Sequence, residues 1–265
     1  MQYKSWIVSG VCGAMLVASA SVASAANWSL EASDIFTGQN SRTIDIDDGP
    51  QVVVSVQQGR VIQGKETHAP YYTQTRGTSG PGGVPGEIDV SPDYFDLDFD
   101  TDVFLSELTV AWLFPDGEYG DHGNEVAIFQ TFSANSIDPL NTFYLEAQEH
   151  EVAKLYSDSG LNNLVDGVIV ENLEIAWDGV NDDGPKSGGV WKISSLTSIF
   201  GDFDRLRLVG GDDLSVLASG AADSDFSFVS ASGAAVVPVP AALPLLGTAL
   251  AGFALVGWRR KRLAA

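Results

Sequence analysis

Cysteine occurs once in this chain, at Cys12, and it sits in an apolar N-terminal segment rather than in the body of the sequence. That segment has a cation at Lys4, an apolar stretch from Trp6 to Ala20 and an Ala23-Ser24-Ala25 site. This is the layout of a cleaved secretory signal, with Ala26 as first mature residue. Past the cleavage point no cysteine remains, which excludes disulfides and thiol chemistry from the mature chain. Cys12 also lacks the small preceding residue of a lipidated cysteine, which argues against a lipoprotein. Positive charge is scarce too, with 14 Lys and Arg against 35 Asp and Glu. All the acids lie between Glu31 and Asp225, whereas Lys4, Arg259, Arg260, Lys261 and Arg262 fall outside that span. Nine cations therefore remain against 35 acids, a net charge of −26 for the exported part. Such a surface repels nucleic acid and anionic headgroups and favours cations as partners.

Catalytic signatures are missing as well. Of the three histidines, His68 and His122 stand alone in polar stretches. His150 lies between Glu149 and Glu151 but is followed by Val152-Ala153-Lys154, so no H-E-x-x-H zinc motif forms. There is no G-x-S-x-G elbow. A glycosidase pair of carboxylates is neither indicated nor excluded by so many acids. The chain is read as a non-enzyme, with a secreted glycan hydrolase as the least favoured alternative.

What the sequence does contain is short extended runs punctuated by Gly, Pro, Asp and Asn, the pattern of antiparallel β structure. The expected fold is all-β, a jelly-roll-like antiparallel sandwich over residues 26–229, followed by a tether over 230–236. About 210 residues between the two terminal segments suit one such domain. Strands are expected from Trp28 to Phe36, Val52 to Val56, Asp93 to Asp100, Leu108 to Phe114, Glu125 to Phe132, Thr142 to Ala147, Val168 to Trp177, Val190 to Ile193, Phe203 to Val209 and Asp225 to Val229. The runs at 108–114 and 125–132 read as a hairpin with a long acidic loop. Glu146 to Tyr156 reads as a helix of two or three turns, and Ser194 to Phe200 as a short helical turn. In Asp93–Asp100, Phe95, Leu97 and Phe99 alternate with Asp96, Asp98 and Asp100. Residues two apart on one face stand ~7 Å from each other, too far to share one small ion. The aspartates are therefore read as a solvated outer face rather than a cation row.

Two ligand chemistries remain in view. Asp178, Asn181, Asp182 and Asp183, between Gly179 and Gly184, offer hard oxygens suited to calcium, with a looser set at Asp116, Glu118 and Asp121. The spacing departs from D-x-[DN]-x-[DN]-G, because Gly179 takes the first ligand position, and Asp, Asn and Gly are also ordinary turn residues. For sugar stacking the flat faces are Trp112, Trp177, Trp191, Tyr71, Tyr72 and Tyr119. The tryptophans in strands read as core, which leaves Tyr119, in a polar loop, as the exposed candidate.

The most specific pattern lies at residues 237–262. Val237-Pro238-Val239-Pro240-Ala241 comes first, then an uncharged run from Ala241 to Trp258, then Arg259, Arg260, Lys261 and Arg262. As a helix the run would reach roughly 27 Å, near the ~30 Å hydrocarbon core of a bilayer. The basic cluster acts as a stop-transfer signal and stays cytoplasmic. This tail resembles the exosortase-recognised sorting signals of Gram-negative bacteria, the PEP-CTERM group, in its VPLPA variant with Val239 in place of Leu. The resemblance covers about the last tenth of the chain. It implies that the motif is read by a membrane-embedded transpeptidase-like enzyme, that the helix holds the substrate, and that the basic end fixes topology. It also implies an association with exopolysaccharide and biofilm. The expected partners are the Sec translocon and signal peptidase, an exosortase, the inner membrane and an exopolysaccharide. The expected route is an anchored precursor with a periplasmic body and cytoplasmic end, then the cell surface or matrix. The rival reading is a carbohydrate- or calcium-binding module on a plain single-span anchor.

Overall fold

The computed structural model describes residues 26–35, 38–47, 49–56, 61–65, 71–75, 88, 94–116, 123–149, 152–173, 189–211 and 226–236. They fall within one compact unit, Ala25–Val237. In chain order the elements are β1 (Ala26–Glu31), a 3-10 turn (Ala32–Asp34), β2 (Ser41–Asp45), β3 (Gln51–Val56), β4 (Val61–Lys65), β5 (Tyr71–Thr75), β6 (Tyr94–Ala111), β7 (Val126–Phe132), β8 (Asn141–Glu149), β9 (Val152–Tyr156), β10 (Ile169–Asn172), β11 (Trp191–Ser194), α1 (Thr197–Phe200), β12 (Asp202–Gly210) and β13 (Ser227–Ala235). The strands form one 13-stranded sheet, and the pairings described are antiparallel. The all-β class follows from the alternating patterns.

The 18-residue β6 organises the sheet. Two stretches expected as separate strands are its two halves. Its first half pairs with β3 and β12, its second with β13 and β11. Val103 and Phe104 have partners in both β12 and β13, so those two strands flank opposite edges. Between the halves, Arg205 pairs with Asp98 and Phe203 with Val103, so a single β12 residue spans the stretch Phe99–Asp102. The strand bends there. Phe95 stacks on Phe228 at 5.3 Å, and Phe228 pairs with Val110. Fifteen residues of straight strand would separate Phe95 from Val110 by roughly 50 Å, so β6 folds back and its two ends face each other across the core.

One buried cluster fills that space, drawing on Leu30, Val54, Leu97, Leu105, Ile193 and Leu206 from both halves. Trp28 packs on Phe99 at 4.9 Å, Phe129 meets Phe226 edge-on at 6.3 Å, and Phe143 stacks on Phe200 at 4.4 Å. These are the inward residues of alternating strands, as the sequence pattern requires.

Three expectations are corrected. Glu146–Tyr156 is not helical: β8 and β9 form a tight antiparallel pair with a register shift between Ala147 and Glu149. Leu145, Ala147, Ala153 and Leu155 are buried on one face, and that burial outweighs the helical preference of Glu, Ala, Lys and Leu. The stretches 108–114 and 125–132 are not a hairpin, because β12 lies between β6 and β7 and supplies the arginines opposite the β6 aspartates. Finally, Ser230–Val236 is not a tether. Ser230–Ala235 is the second half of β13, an interior strand whose small residues let β1 and β6 approach from both edges, and Val236 follows it.

Candidate functional site

Both described ends of the body meet at the β6 bend. Ala26 pairs with Ala235, Asn27 with Ala234 and Trp28 with Gly233. Beyond the strand, the Val236 N–H donates to the Asp102 carbonyl at 2.9 Å, and the Thr101 hydroxyl donates to the Val236 carbonyl at 3.3 Å. A Cβ on Gly233 would stand 1.8 Å from the Phe104 carbonyl oxygen and 3.1 Å from the Trp28 ring. Glycine is therefore required where β13 is pressed between β1 and β6.

The opposite end gathers a polar ledge. Asp116 is tied to Gly123 and Asn124: the Asp116 N–H donates to Asn124 Oδ1 at 3.1 Å and the Gly123 N–H to Asp116 Oδ1 at 2.8 Å. The buried Glu125 carboxylate accepts the Phe114 N–H. Next to it, Asn124 Nδ2 donates to Glu146 Oε1 at 3.0 Å. Gln148 Nε2 donates to Glu146 Oε2 at 2.6 Å and to the Tyr156 hydroxyl at 2.8 Å. Burial, reinforced by the Glu146 charge, pushes the Tyr156 hydroxyl above its ordinary pKa, so it stays a neutral donor and acceptor. Amides, a carboxylate and a phenol on one face are the groups that meet sugar hydroxyls, although here they also satisfy one another.

Beside the ledge runs a row that sequence reasoning missed. Tyr94, Val209, Ile128, Tyr144 and Tyr156 are successive cross-strand neighbours from β6 to β9 on the outward face. Ile128, Tyr144 and Tyr156 join Val126 in a second small apolar cluster, with Leu161 and Val209 packed against it. The only signal in the sequence was an apolar or aromatic residue at each outward position, legible once register was known.

The outward aspartates of β6 are only in part a solvated face. Asp96 is buried and held in a two-bond fork by Arg207, both bonds 2.8 Å. The Arg207 guanidinium lies 3.5 Å from the Tyr94 ring centre, and that of Arg205 lies 4.0 Å from that of Phe132. Arg205 reaches Asp98 at 3.9 Å, while the Asp100 carboxylate accepts the Gln51 N–H at 3.0 Å. Burial first, and then the charge of Asp96, raise the Asp98 pKa. Asp96 is thus ion-paired within the sheet, whereas Asp98 is half-exposed beside Arg205 and Asp100 is exposed. Among the described residues no three His, Cys, Asp or Glu side chains are grouped to hold a metal ion.

A cleft of about 590 Å³ opens between β1 and the β2 turn, floored by Trp28, Leu30, Ile44 and Ile46 and rimmed by Asp34, Asp45 and Asp47. Asp45 is engaged by the Gln51 amide at 2.6 Å, and Asp34 accepts the Glu31 N–H at 3.2 Å.

Of the residues singled out from sequence, Trp191 is core: its ring is buried and its Nε1 donates to the Leu113 carbonyl at 2.8 Å. Trp112 is half-buried and lies 6.1 Å from Phe114. Ala26 opens β1. Outside the described residues lie Ala23 and Ala25, Tyr119, Trp177 and the calcium set Asp178, Asn181, Asp182 and Asp183. So do the motif Val237, Pro238, Val239, Pro240 and Ala241, and the cluster Arg259, Arg260, Lys261 and Arg262. Among the described residues no helix is long and apolar enough to cross a membrane. No family model, curated protein or solved structure matches the chain.

Proposed function

We propose that this chain is an exported protein of the cell surface or extracellular matrix, processed through an exosortase-type signal, whose body serves a passive adhesive or exopolysaccharide-scaffolding role. The observation that carries this reading is the fixed order of Val237-Pro238-Val239-Pro240-Ala241, the uncharged run to Trp258 and the four cations Arg259 to Arg262. The body supports it in two ways. It is strongly acidic, which keeps it soluble and off anionic surfaces. Its first and last strands are neighbours, so the described residues begin and end side by side, an arrangement suited to processing at both ends of the body. The bent β6, with one core between its halves, supports a jelly-roll-like sandwich as the finer architecture. Intact-mass measurement of surface material tests the reading. The chain should begin at Ala26 and end near Pro240; a mass that retains Arg259 to Arg262 would defeat processing and leave a plain anchor.

A second reading, a glycan- or calcium-binding module, is favoured by the ledge of Asn124, Glu146, Gln148 and Tyr156. In that reading the acidic stretches at Asp116–Asp121 and Asp178–Asp183 hold the cation. Melting of the dialysed body with and without calcium and matrix polysaccharide distinguishes the two, since the passive role expects no shift.

A further inference from the structure

β13 is an interior strand to its last residue, Ala235, and one residue, Val236, separates it from the motif. Ala231 to Ala235 are paired on one edge with β1 and on the other with β6, and both backbone polar groups of Val236 are engaged at the bend. Only residues 237–240 separate Val236 from the uncharged run. Even fully extended, the five steps from Val236 to Ala241 span at most ~18 Å. An enzyme that cuts within 237–241 must hold several residues on each side of the bond in its own cleft. The upstream ones, Ala234 to Val236, are already hydrogen-bonded on both sides in the folded body.

We propose that these last rungs of β13 are a latch. While Ala234–Val236 stay docked between β1 and the β6 bend, processing of the tail is slow, and it proceeds through local opening of that strand end rather than from the fully folded state. This inference rests on the sorting reading above, and it gives that reading a control point: release of the tail is governed by the Ala26–Ala235, Asn27–Ala234, Thr101–Val236 and Asp102–Val236 contacts.

The test uses the full chain with Asn27→Cys and Ala234→Cys, direct partners across β1 and β13. Cys12 lies in the segment removed as a signal, so the engineered cross-link is unique in the mature chain. Two rates are read on oxidised and reduced samples of the same variant. One is tail loss by mass in a host carrying an exosortase. The other is nicking within 237–240 by a non-specific protease on detergent-solubilised chain. The latch predicts that oxidation slows both at least tenfold. It also predicts that Thr101→Val, which removes one rung while keeping side-chain shape, speeds both roughly three- to tenfold. Equal rates in the oxidised and reduced samples overturn the latch, as does a Thr101→Val variant nicked no faster than the parent. If the parent chain keeps its cationic end in the exosortase host, the sorting reading fails, and the protease arm still decides whether the strand end controls access.

Discussion

The alternation in Asp93–Asp100 points Phe95, Leu97 and Phe99 inward, and all three are buried. What alternation does not convey is which strand lies alongside. β12 places Arg207 against Asp96 and Arg205 near Asp98, so the acids face out of the core yet remain partly covered. The Arg207 fork satisfies Asp96, whereas Asp98 has only a 3.9 Å contact and carries a raised pKa. A carboxyl that holds its proton more tightly in the folded than in the unfolded chain weighs against folding once ionised. Its contribution is nil below the unfolded value of ~3.9 and grows unfavourable as pH rises through the raised folded value. Asp98→Asn should therefore raise stability at pH 7, and the gain should vanish below about pH 4. With the side chain 43% exposed, solvent screening limits the effect to a few tenths of a kcal/mol. Denaturant midpoints of both proteins at the two pH values check this; a gain equal at both would mean that shape, not charge, is responsible.

At the scale of elements, most strands were legible and most of their neighbours were not. Phe203–Val209 alternates Leu206 and Leu208 against Arg205 and Arg207, and β12 follows that pattern. The pattern carries no information on its insertion between β6 and β7, because long-range pairing is decided by packing and charge across the whole sheet. The 146–156 stretch failed for the opposite reason, since local helical preference was strong and tertiary burial overrode it. The polar ledge was invisible for a third reason: Asn124, Glu146, Gln148 and Tyr156 come from three segments that only register brings together. The sharpest lesson is Ser230–Ala235. Small residues suggested slack chain, but they are the mark of a strand approached closely on both edges. Gly233 makes the point testable. With a Cβ 1.8 Å from a backbone oxygen, no side-chain movement relieves Gly233→Ala. The variant should lose more than about 3 kcal/mol or fail to fold. Ala234→Ser, one residue on and half-buried, should cost less than about 1 kcal/mol. Urea unfolding of the two compares them directly, and a Gly233→Ala midpoint near the parent's would mean that β13 does not lie this close to β6.

At the scale of the whole molecule, the closed circuit of the chain follows from one pairing. Ala26 and Ala235 are cross-strand partners, and partners in an antiparallel pair have Cα atoms about 4.5–5.5 Å apart. A linker of about four residues therefore bridges Val236 to Ala26 without strain. New ends can be opened between Asp166 and Gly167, an exposed turn between β9 and β10 where Gly167 has φ +83° and open space beside it. No described backbone pairing is broken there, so this permutant should fold with a loss of no more than about 1–2 kcal/mol. Simply deleting residues 26–31 should be far worse, because it takes Trp28 and Leu30 out of the core and exposes one edge of β13. Circular dichroism melts of the permutant, the deletion and the parent separate the outcomes. If the deletion melts like the parent, β1 contributes nothing to the fold, and the pairing that joins the two ends of the body is not what holds β13 in place.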